Sequence, residues 1–312
     1  MSLALGAGTF LPSAAGQIVV ILAWTVGMCF TWPTLQSLIG AGEPGHRMPR
    51  MAGIYNIVWS GISAMSYFIG GALIEQFGLT ALFWMPALIH LGQLGHVMWI
   101  EKRLPLAALD ESIPQPAENI PEEIDLATRR TFLRYALLSN PMAYVAINTV
   151  IPLIPIVAQR FQLTPTMTGV ICSVWFFVRM GAFILFWLWP GWHYRFGILL
   201  AAKILLVVGL LGILLAPTLW ILLGAQVLFG LSLGLIYYSS LYYSMHGGNA
   251  KTEHGGLHEA MIGLGTLLGA GVGAGAKYFF PEIDSISIWA VGGLLFVGLC
   301  GLIWLRYRKE NR

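Results

Sequence analysis

The chain has little charge for its length. Of its 312 residues, 17 are Lys or Arg and 14 are Asp or Glu, so only 10% are charged, whereas 57% are hydrophobic. A soluble globular domain has about 25% charged residues, and this composition argues against that class. The small positive net charge comes from short scattered clusters rather than a basic stripe. The sequence therefore shows no footprint for nucleic acid.

Cysteine is scarce as well. Cys29, Cys172 and Cys300 each lie inside an apolar stretch, far apart in the sequence. An odd number of isolated cysteines argues against a disulfide framework and against a thiolate metal cluster. We interpret the three as small apolar packing residues.

What the chain does contain is long apolar stretches. A helix needs about 20 apolar residues to cross about 30 Å of hydrocarbon. Nine stretches are long enough: about 17–39, 51–74, 80–100, 135–158, 167–189, 197–216, 218–244, 257–280 and 286–307. Residues 1–11 reach only about half-way across a bilayer, and we expect them to be the tail of a longer helix. The sequence predicts an all-α polytopic membrane protein with about nine full transmembrane helices plus a partial N-terminal one.

The loops between these stretches alternate in charge. Every second loop carries Lys or Arg, and the intervening ones hold only Arg160 and the nearby Lys277. Because cytoplasmic loops carry the excess of Lys and Arg, we predict a multi-pass protein of the cell inner (plasma) membrane with a cytoplasmic C-terminus. Residues 101–134 form the one long connection, polar and Pro-rich, which is typical of a solvated linker. Its end, "EEIDLATRRTFLRYALL", is compatible with a short surface helix.

Two stretches on either side of this linker resemble each other. Residues 27–73 and 234–276 each begin with an apolar span that opens on Gly and continue through a Gly-rich basic loop. Each then enters a helix with small residues at helical spacing, through "GIYN" at 53–56 and "GLHE" at 256–259. Many secondary transporters are built from such repeats, with the substrate site between the two halves.

With these features the chain resembles the major facilitator superfamily of transporters over essentially its whole length. The similar segments are "GIYNIVWSGISAMSYFIGGALIEQFG" (53–78), "GLHEAMIGLGTLLGAGVGAG" (256–275), the long loop, and "WPGWHYRFG" (189–197), which is similar to the family's basic loop motif. The resemblance implies that residues 1–100 are the remainder of an N-terminal half, 101–134 the central cytoplasmic loop and 135–312 the C-terminal six-helix half. It also implies that about two and a half helices precede residue 1.

Arg179 and Asn148 are the first candidates for a substrate cavity. Arg179 lies near the middle of a span, where an Arg costs several kcal/mol on insertion scales. We expect it to face a polar interior or an anion in a substrate-contacting or gating role; the alternative is a structural pair with another helix. Asn148 lies in a span loosened by Pro152 and Pro155. We predict that it binds substrate or makes a helix–helix hydrogen bond.

A stripe of small and polar residues follows helical steps along 218–244. It consists of Gln226, Gly230, Gly234, Tyr237, Leu241 and Ser244, with Tyr238 and Tyr242 beside it. We predict that Gln226, Tyr237 and Tyr238 line the cavity, whereas the glycines are equally compatible with a tight helix contact. Both repeats also hold helix-spaced glycines, which let membrane helices approach and slide. These are Gly70, Gly71, Gly263, Gly265, Gly269, Gly271, Gly273 and Gly275.

His246, His254, His258 and Glu259 lie close together between two apolar stretches. The four-residue spacing of His254 and His258 suits metal ligands on one helix face, but "HEAMI" lacks the second His of the zinc-protease motif. Because Asn56 is the counterpart of Glu259, we interpret these histidines as part of a cytoplasmic loop. The helix is then predicted to begin at 257, where its N-terminus favours Glu259. Asn56, His258 and Glu259 are predicted gate or coupling residues, and a capping or interface role is the alternative.

Lys203 is expected to extend its amine to the cytoplasmic surface. Taken together, the residues predict a protein that is not an enzyme and that moves a small solute across the bilayer by alternating access. It would act as a symporter or antiporter coupled to H+ or another ion, or as a uniporter. No cofactor, metal, nucleic acid or obligate protein partner is expected. Two alternatives stay open: an integral-membrane metal-dependent enzyme built on the histidines of 246–259, and a non-transporting fragment.

Overall fold

The computed structural model describes residues 1–39, 48–103, 124–246, 251–283 and 285–310, and every regular element in these ranges is helical. The helices are α1 (Ser2–Gly8), α2 (Ala14–Ile39), α3 (Met48–Phe77), α4 (Ala81–Arg103), α5 (Leu126–Arg160), α6 (Pro165–Cys172), α7 (Val174–Leu188), α8 (Phe196–Leu215), α9 (Leu219–His246), α10 (Lys251–Phe279) and α11 (Ile286–Glu310). A short 3-10 turn, Pro190–Trp192, joins α7 to α8. The all-α class predicted from the sequence is confirmed for these residues.

Eight stretches of the described residues are long and apolar enough to cross a membrane. They are Ala14–Trp32, Gly53–Phe77, Leu126–Arg160, Pro165–Leu188, Phe196–Leu215, Leu219–Ser244, Gly256–Phe279 and Ile286–Arg308. The ninth predicted span, 80–100, forms α4 but is not among them, because His90, Gln93 and His96 make it less apolar. The chain therefore has the helices of a multi-pass membrane protein, with one fewer clear span than predicted.

The first of two compact units comprises Met1–Tyr55 and Ile69–Ile120. Its small core joins Leu5, Val20 and Ala87 from α1, α2 and α4. Trp24 Nε1 donates a hydrogen bond to Nε2 of His90 over 3.2 Å. This bond joins α2 to α4.

The second unit comprises Asn56–Phe68 of α3 together with Pro121–Arg312. Glycines bring its helices close together. A Cβ on Gly209 would lie 2.8 Å from the backbone nitrogen of Phe229, and one on Gly230 would lie 2.6 Å from the carbonyl oxygen of Trp175. Helix α9 therefore packs tightly against both α8 and α7, so the stripe glycines serve helix contact rather than a cavity.

The glycines of the second repeat divide into two groups. A Cβ on Gly269 would lie 2.6 Å from the carbonyl oxygen of Val145, and Gly265 meets the backbone of Pro141 in the same way. Helix α10 thus packs closely on α5. A Cβ on Gly263, Gly271 or Gly275 would meet no atom of the described residues within 4 Å, so only part of the predicted glycine face is used for packing there.

Helices α3, α5 and α10 begin earlier than the sequence predicted. Helix α5 begins at Leu126, where the Asp125 side chain accepts a hydrogen bond from the Thr128 N–H as an N-cap. The predicted surface helix is therefore the first part of α5 and not a piece of the linker. Helix α10 begins at Lys251 instead of residue 257.

These boundaries move two predicted gate residues away from the helix entries. Counted from Met48 and Lys251, Asn56 and Glu259 are each the ninth residue of their helix. The prediction that a helix N-terminus stabilises Glu259 is wrong, because the effect is confined to the first turn. The two positions nevertheless keep the same register in α3 and α10, as the repeat in the sequence suggested.

Candidate functional site

Arg179 is the sixth residue of α7 and is buried, with 5% of its surface exposed. Its guanidinium carbon lies 4.7 Å from the ring centre of Trp59 and 5.3 Å from those of Trp175 and Phe176. Each distance is within the range of a cation–π interaction. Within the described ranges, the Arg179 Nε has no hydrogen-bond partner.

Trp59 is held in this position by Asn56. The indole Nε1 donates to Oδ1 of Asn56 over 3.1 Å, one turn earlier in α3. Asn56 is fully buried, and its Nδ2 has no partner in the part of the chain that the structure describes. The predicted gate residue therefore lies inside the helix packing, where it orients the ring nearest to Arg179.

Tyr237 connects this region to His258. Its ring centre lies 5.4 Å from that of Trp59 and 5.2 Å from that of His258, both nearly edge-on. Both Tyr237 and His258 are buried. Arg179, Trp59, Trp175, Phe176 and Tyr237 are called the Arg179 cluster below, with Asn56 and His258 at its two ends. Sequence reasoning had named Arg179, Tyr237, Asn56 and His258 separately, and the structure brings them into one contiguous group.

His258 lies in the interior of α10 and not at the helix entry that the sequence predicted. Its Nδ1 lies 2.9 Å from the Ser240 Oγ and 3.5 Å from the Asn140 Nδ2, so the ring joins α10 to both α9 and α5. Its Nε2 is buried and has no partner among the described residues. Ser240 and Asn140 were missed from sequence, although Ser240 lies one helical turn after Tyr237 and so shares its helix face.

Asn148 makes a helix–helix contact. Its Nδ2 donates to the Tyr144 carbonyl over 2.9 Å and to the Thr266 Oγ1 over 3.2 Å. Thr266 belongs to α10, so this amide supports the close packing of α10 on α5. The helix–helix interpretation of Asn148 therefore describes its observed bonds.

Gln226 forms hydrogen bonds with backbone groups at the break between α6 and α7. In an unbroken helix the Trp175 N–H would donate to the carbonyl of Ile171, four residues earlier. Here the Gln226 Oε1 accepts from the Trp175 N–H over 3.4 Å, and its Nε2 donates to the Ile171 carbonyl over 3.0 Å. The amide thus occupies the gap in the helix, where unsatisfied backbone groups would be costly in a membrane. The pocket beside Gln226 is otherwise lined by apolar side chains and Cys172.

Tyr238 packs against two rings that are not members of the Arg179 cluster. Its ring meets Phe183 at 6.2 Å and Trp192 at 5.6 Å, which places it towards the loop between α7 and α8. In that loop the Tyr194 N–H donates to the Tyr243 hydroxyl over 2.9 Å. Burial raises the pKa of Tyr194, and the charge of Arg129 partly opposes this rise. Tyr238 therefore helps to hold the "WPGWHYRFG" segment.

Lys203 does not extend to a surface, contrary to the sequence interpretation. It is 1% exposed, and its Nζ has no hydrogen-bond partner within the described residues. The amine lies beside Gly298 of α11, where a Cβ would lie 3.5 Å from it. The side chain points from α8 towards α11 and does not extend along its own helix towards water.

The metal-site alternative depends partly on side chains outside the described residues, namely those of His246 and His254. In the described part of the chain, no group of three or more His, Cys, Asp or Glu residues could hold a metal ion. Glu259 is half-buried and makes contacts of its own. The metal-dependent enzyme stays an untested alternative.

Comparison of the chain with models of protein families, with curated proteins and with solved structures gave no match. The chemistry of the site must therefore be read from its own residues. The Arg179 cluster combines a cation, aromatic ring faces and phenol groups inside an apolar helix bundle.

Proposed function

We propose that this chain is a secondary transporter that moves a small solute across a membrane by alternating access, in the manner of the major facilitator superfamily. The resemblance of the repeats and the alternating basic loops support the proposal, and the basic loops favour a cytoplasmic C-terminus in the inner (plasma) membrane. The observation that carries it is Arg179: a buried cation in the middle of a membrane span, surrounded by aromatic rings.

An intramembrane charge is expensive, and such residues typically mark substrate or ion pathways. The segment 56–68 and helices α5, α7 and α9 contain no Asp or Glu. Among the described residues, the phenols of Tyr67, Tyr144 and Tyr237 lie within electrostatic range of Arg179. In the part of the chain that the structure describes, the charge partners of Arg179 are thus phenols and not carboxylates, which supports a role for this Arg in meeting a solute during the transport cycle.

In the proposed cycle, the contact between Trp59 and Arg179 opens and closes the solute site. Trp59 is on α3, before the long loop, and Arg179 is on α7, after it. With Arg179 only 5% exposed, a solute gains access when these two helices separate and Trp59 leaves the guanidinium. Return of Trp59 would close the site again. His258 and Glu259 are the candidates for coupling this movement to a proton or another ion.

Uptake into liposomes tests the proposal. The purified chain is reconstituted and incubated with a defined mixture of sugars, amino acids, monocarboxylates and dicarboxylates, and the trapped solutes are measured by mass spectrometry. We expect at least one solute to enter faster than into protein-free liposomes, and Arg179→Ala to remove this difference. Lys203→Met serves as the matched control, since it removes a buried basic side chain outside the cluster.

Two results would contradict the proposal. A folded chain that admits no solute above the protein-free rate would favour the non-transporting alternative. Uptake that survives in Arg179→Ala would show that the solute takes another path. Stoichiometric metal in chain purified without chelator, with activity lost in His254→Ala, would favour the metal-dependent enzyme instead.

A further inference from the structure

Building on the proposed transport function, we infer that the solute is an organic anion: a carboxylate attached to a compact apolar or aromatic body. The carboxylate meets the guanidinium of Arg179, and the body lies among the rings of the Arg179 cluster. Three features of the site support this class of solute over a sugar or a cation.

The first feature is the unbalanced charge. The phenols of Tyr67, Tyr144 and Tyr237 lie within electrostatic range of Arg179, and phenols are neutral at physiological pH. An anion would neutralise the guanidinium in a medium of low dielectric constant, where charge pairing is strong. A cation would be repelled, and a neutral solute would leave the charge uncompensated.

The second feature is the set of hydrogen-bond donors that the rings leave available. Ring faces attract the positive charge of Arg179, but the N–H groups of a guanidinium point outwards in its own plane. The rings of Trp59, Trp175 and Phe176 carry no carbonyl or carboxylate acceptor, and the Arg179 Nε has no acceptor within the described ranges. A carboxylate is planar and accepts two parallel N–H bonds from a guanidinium, so it fits the unused donors.

The third feature is the apolar character of the surroundings. Tyr67 stacks on Phe176 with ring centres 4.1 Å apart, and the ring of Phe183 lies 5.9 Å from that of Trp59. A sugar would instead require several amide or carboxylate partners. Of the amides that the sequence indicated, Asn148 bonds to Tyr144 and Thr266 and Gln226 bonds to backbone groups. Of these amides, only the Nδ2 of Asn56 is left without a partner among the described residues, which is too few polar groups for a sugar.

Matched pairs of acids and amides test this class of solute. The full chain in detergent is titrated with propionate, hexanoate, benzoate and 3-phenylpropionate, and with the amide of each acid. The thermal unfolding midpoint and calorimetric binding are the readouts. We expect at least one acid to bind and raise the midpoint while its amide does not. Arg179→Gln should weaken that binding by about 10- to 100-fold, as expected for the loss of charged hydrogen bonds.

Lys203→Met is the control for charge outside the site, and it should bind the same acid as the unmodified chain does. The solute class is contradicted if no acid of the panel binds, if an acid and its amide bind equally, or if Arg179→Gln leaves the affinity unchanged. Uptake of a neutral solute without acid binding would overturn the anion and leave transport standing. Acid binding that depends on Arg179 without any uptake would support the anion and contradict transport.

Discussion

Arg179 and Lys203 are both buried basic side chains in apolar helices of the second unit, yet their surroundings differ. Arg179 lies over three aromatic rings, the nearest 4.7 Å away. Lys203 has neither a ring contact nor a hydrogen bond for its Nζ among the described residues. Burial of charge is thus not enough to identify a site. What distinguishes Arg179 is an environment that tolerates the charge while leaving its in-plane donors available to a solute.

The physical chemistry of the two side chains explains the difference. A guanidinium is planar and weakly hydrated and stacks on ring faces, whereas an ammonium is a compact, strongly hydrated charge. Each cation–π contact contributes about 0.5–2 kcal/mol, so three rings offset much of the cost of burying Arg179. Nothing comparable is present around Lys203. We therefore expect substitutions of Arg179 to affect function and substitutions of Lys203 to affect stability.

Of the substitutions that keep the charge or change a neighbouring group, Arg179→Lys should have the largest effect, because it keeps the charge but removes the planar guanidinium. An ammonium cannot bind a carboxylate through two parallel N–H bonds. We expect the initial rate of solute uptake into liposomes to fall by about 10- to 100-fold, which corresponds to about 1.4–2.8 kcal/mol. Uptake at the unmodified rate would show that Arg179 acts only through its charge. The planar shape of the guanidinium would then not explain why Arg179 and Lys203 differ.

Lys203→Met should have the next largest effect, and in the opposite direction. A methionine fills a similar volume without an amine that lacks a partner, and burying an unsatisfied polar group costs about 1–3 kcal/mol. We expect a higher thermal unfolding midpoint in detergent and an unchanged rate of uptake. A lower midpoint would mean that Lys203 has a partner in the folded protein, and slower uptake would place it on the solute pathway.

The smallest effect is expected for Asn56→Leu, which removes the acceptor of the Trp59 indole. Loss of one buried hydrogen bond costs about 1 kcal/mol. The affinity for the solute should fall a few-fold, because Trp59 would no longer be held over Arg179. Calorimetric binding of the active acid measures this change. An unaltered affinity would show that packing alone positions Trp59, and Trp59→Phe, which keeps a ring without the indole N–H, would then behave in the same way.

The sequence was a good guide to the spans and a poor guide to what buried side chains contact. Apolar stretches about 20 residues long predict membrane helices because the thickness of the bilayer sets their length. Lys203 was misjudged because its depth suggested an extended side chain, while the direction in which it points depends on how α8 packs. The role of Gln226 could not be foreseen, since no Gly or Pro marks the break at Ser173.

The grouping of predicted site residues is similarly instructive. Arg179, Tyr237, His258 and Asn56 were named for separate reasons, namely depth, helical spacing and the repeat. Their contact in one cluster depends on the tertiary packing of four helices, which no local pattern encodes. Asn148 and Gln226 were named on equally good grounds, but their hydrogen bonds serve helix packing. Polar residues in a span predict an important contact and do not reveal whether the partner is a helix or a solute.

The central claim is that Arg179, and not simply any buried cation, binds the transported solute. The most direct test measures initial uptake of the solute identified by mass spectrometry in parallel liposomes that contain the unmodified chain, Arg179→Gln or Lys203→Met. We predict uptake at the protein-free rate for Arg179→Gln and at the unmodified rate for Lys203→Met. Equal uptake by the two variants, whether fast or slow, would contradict the account.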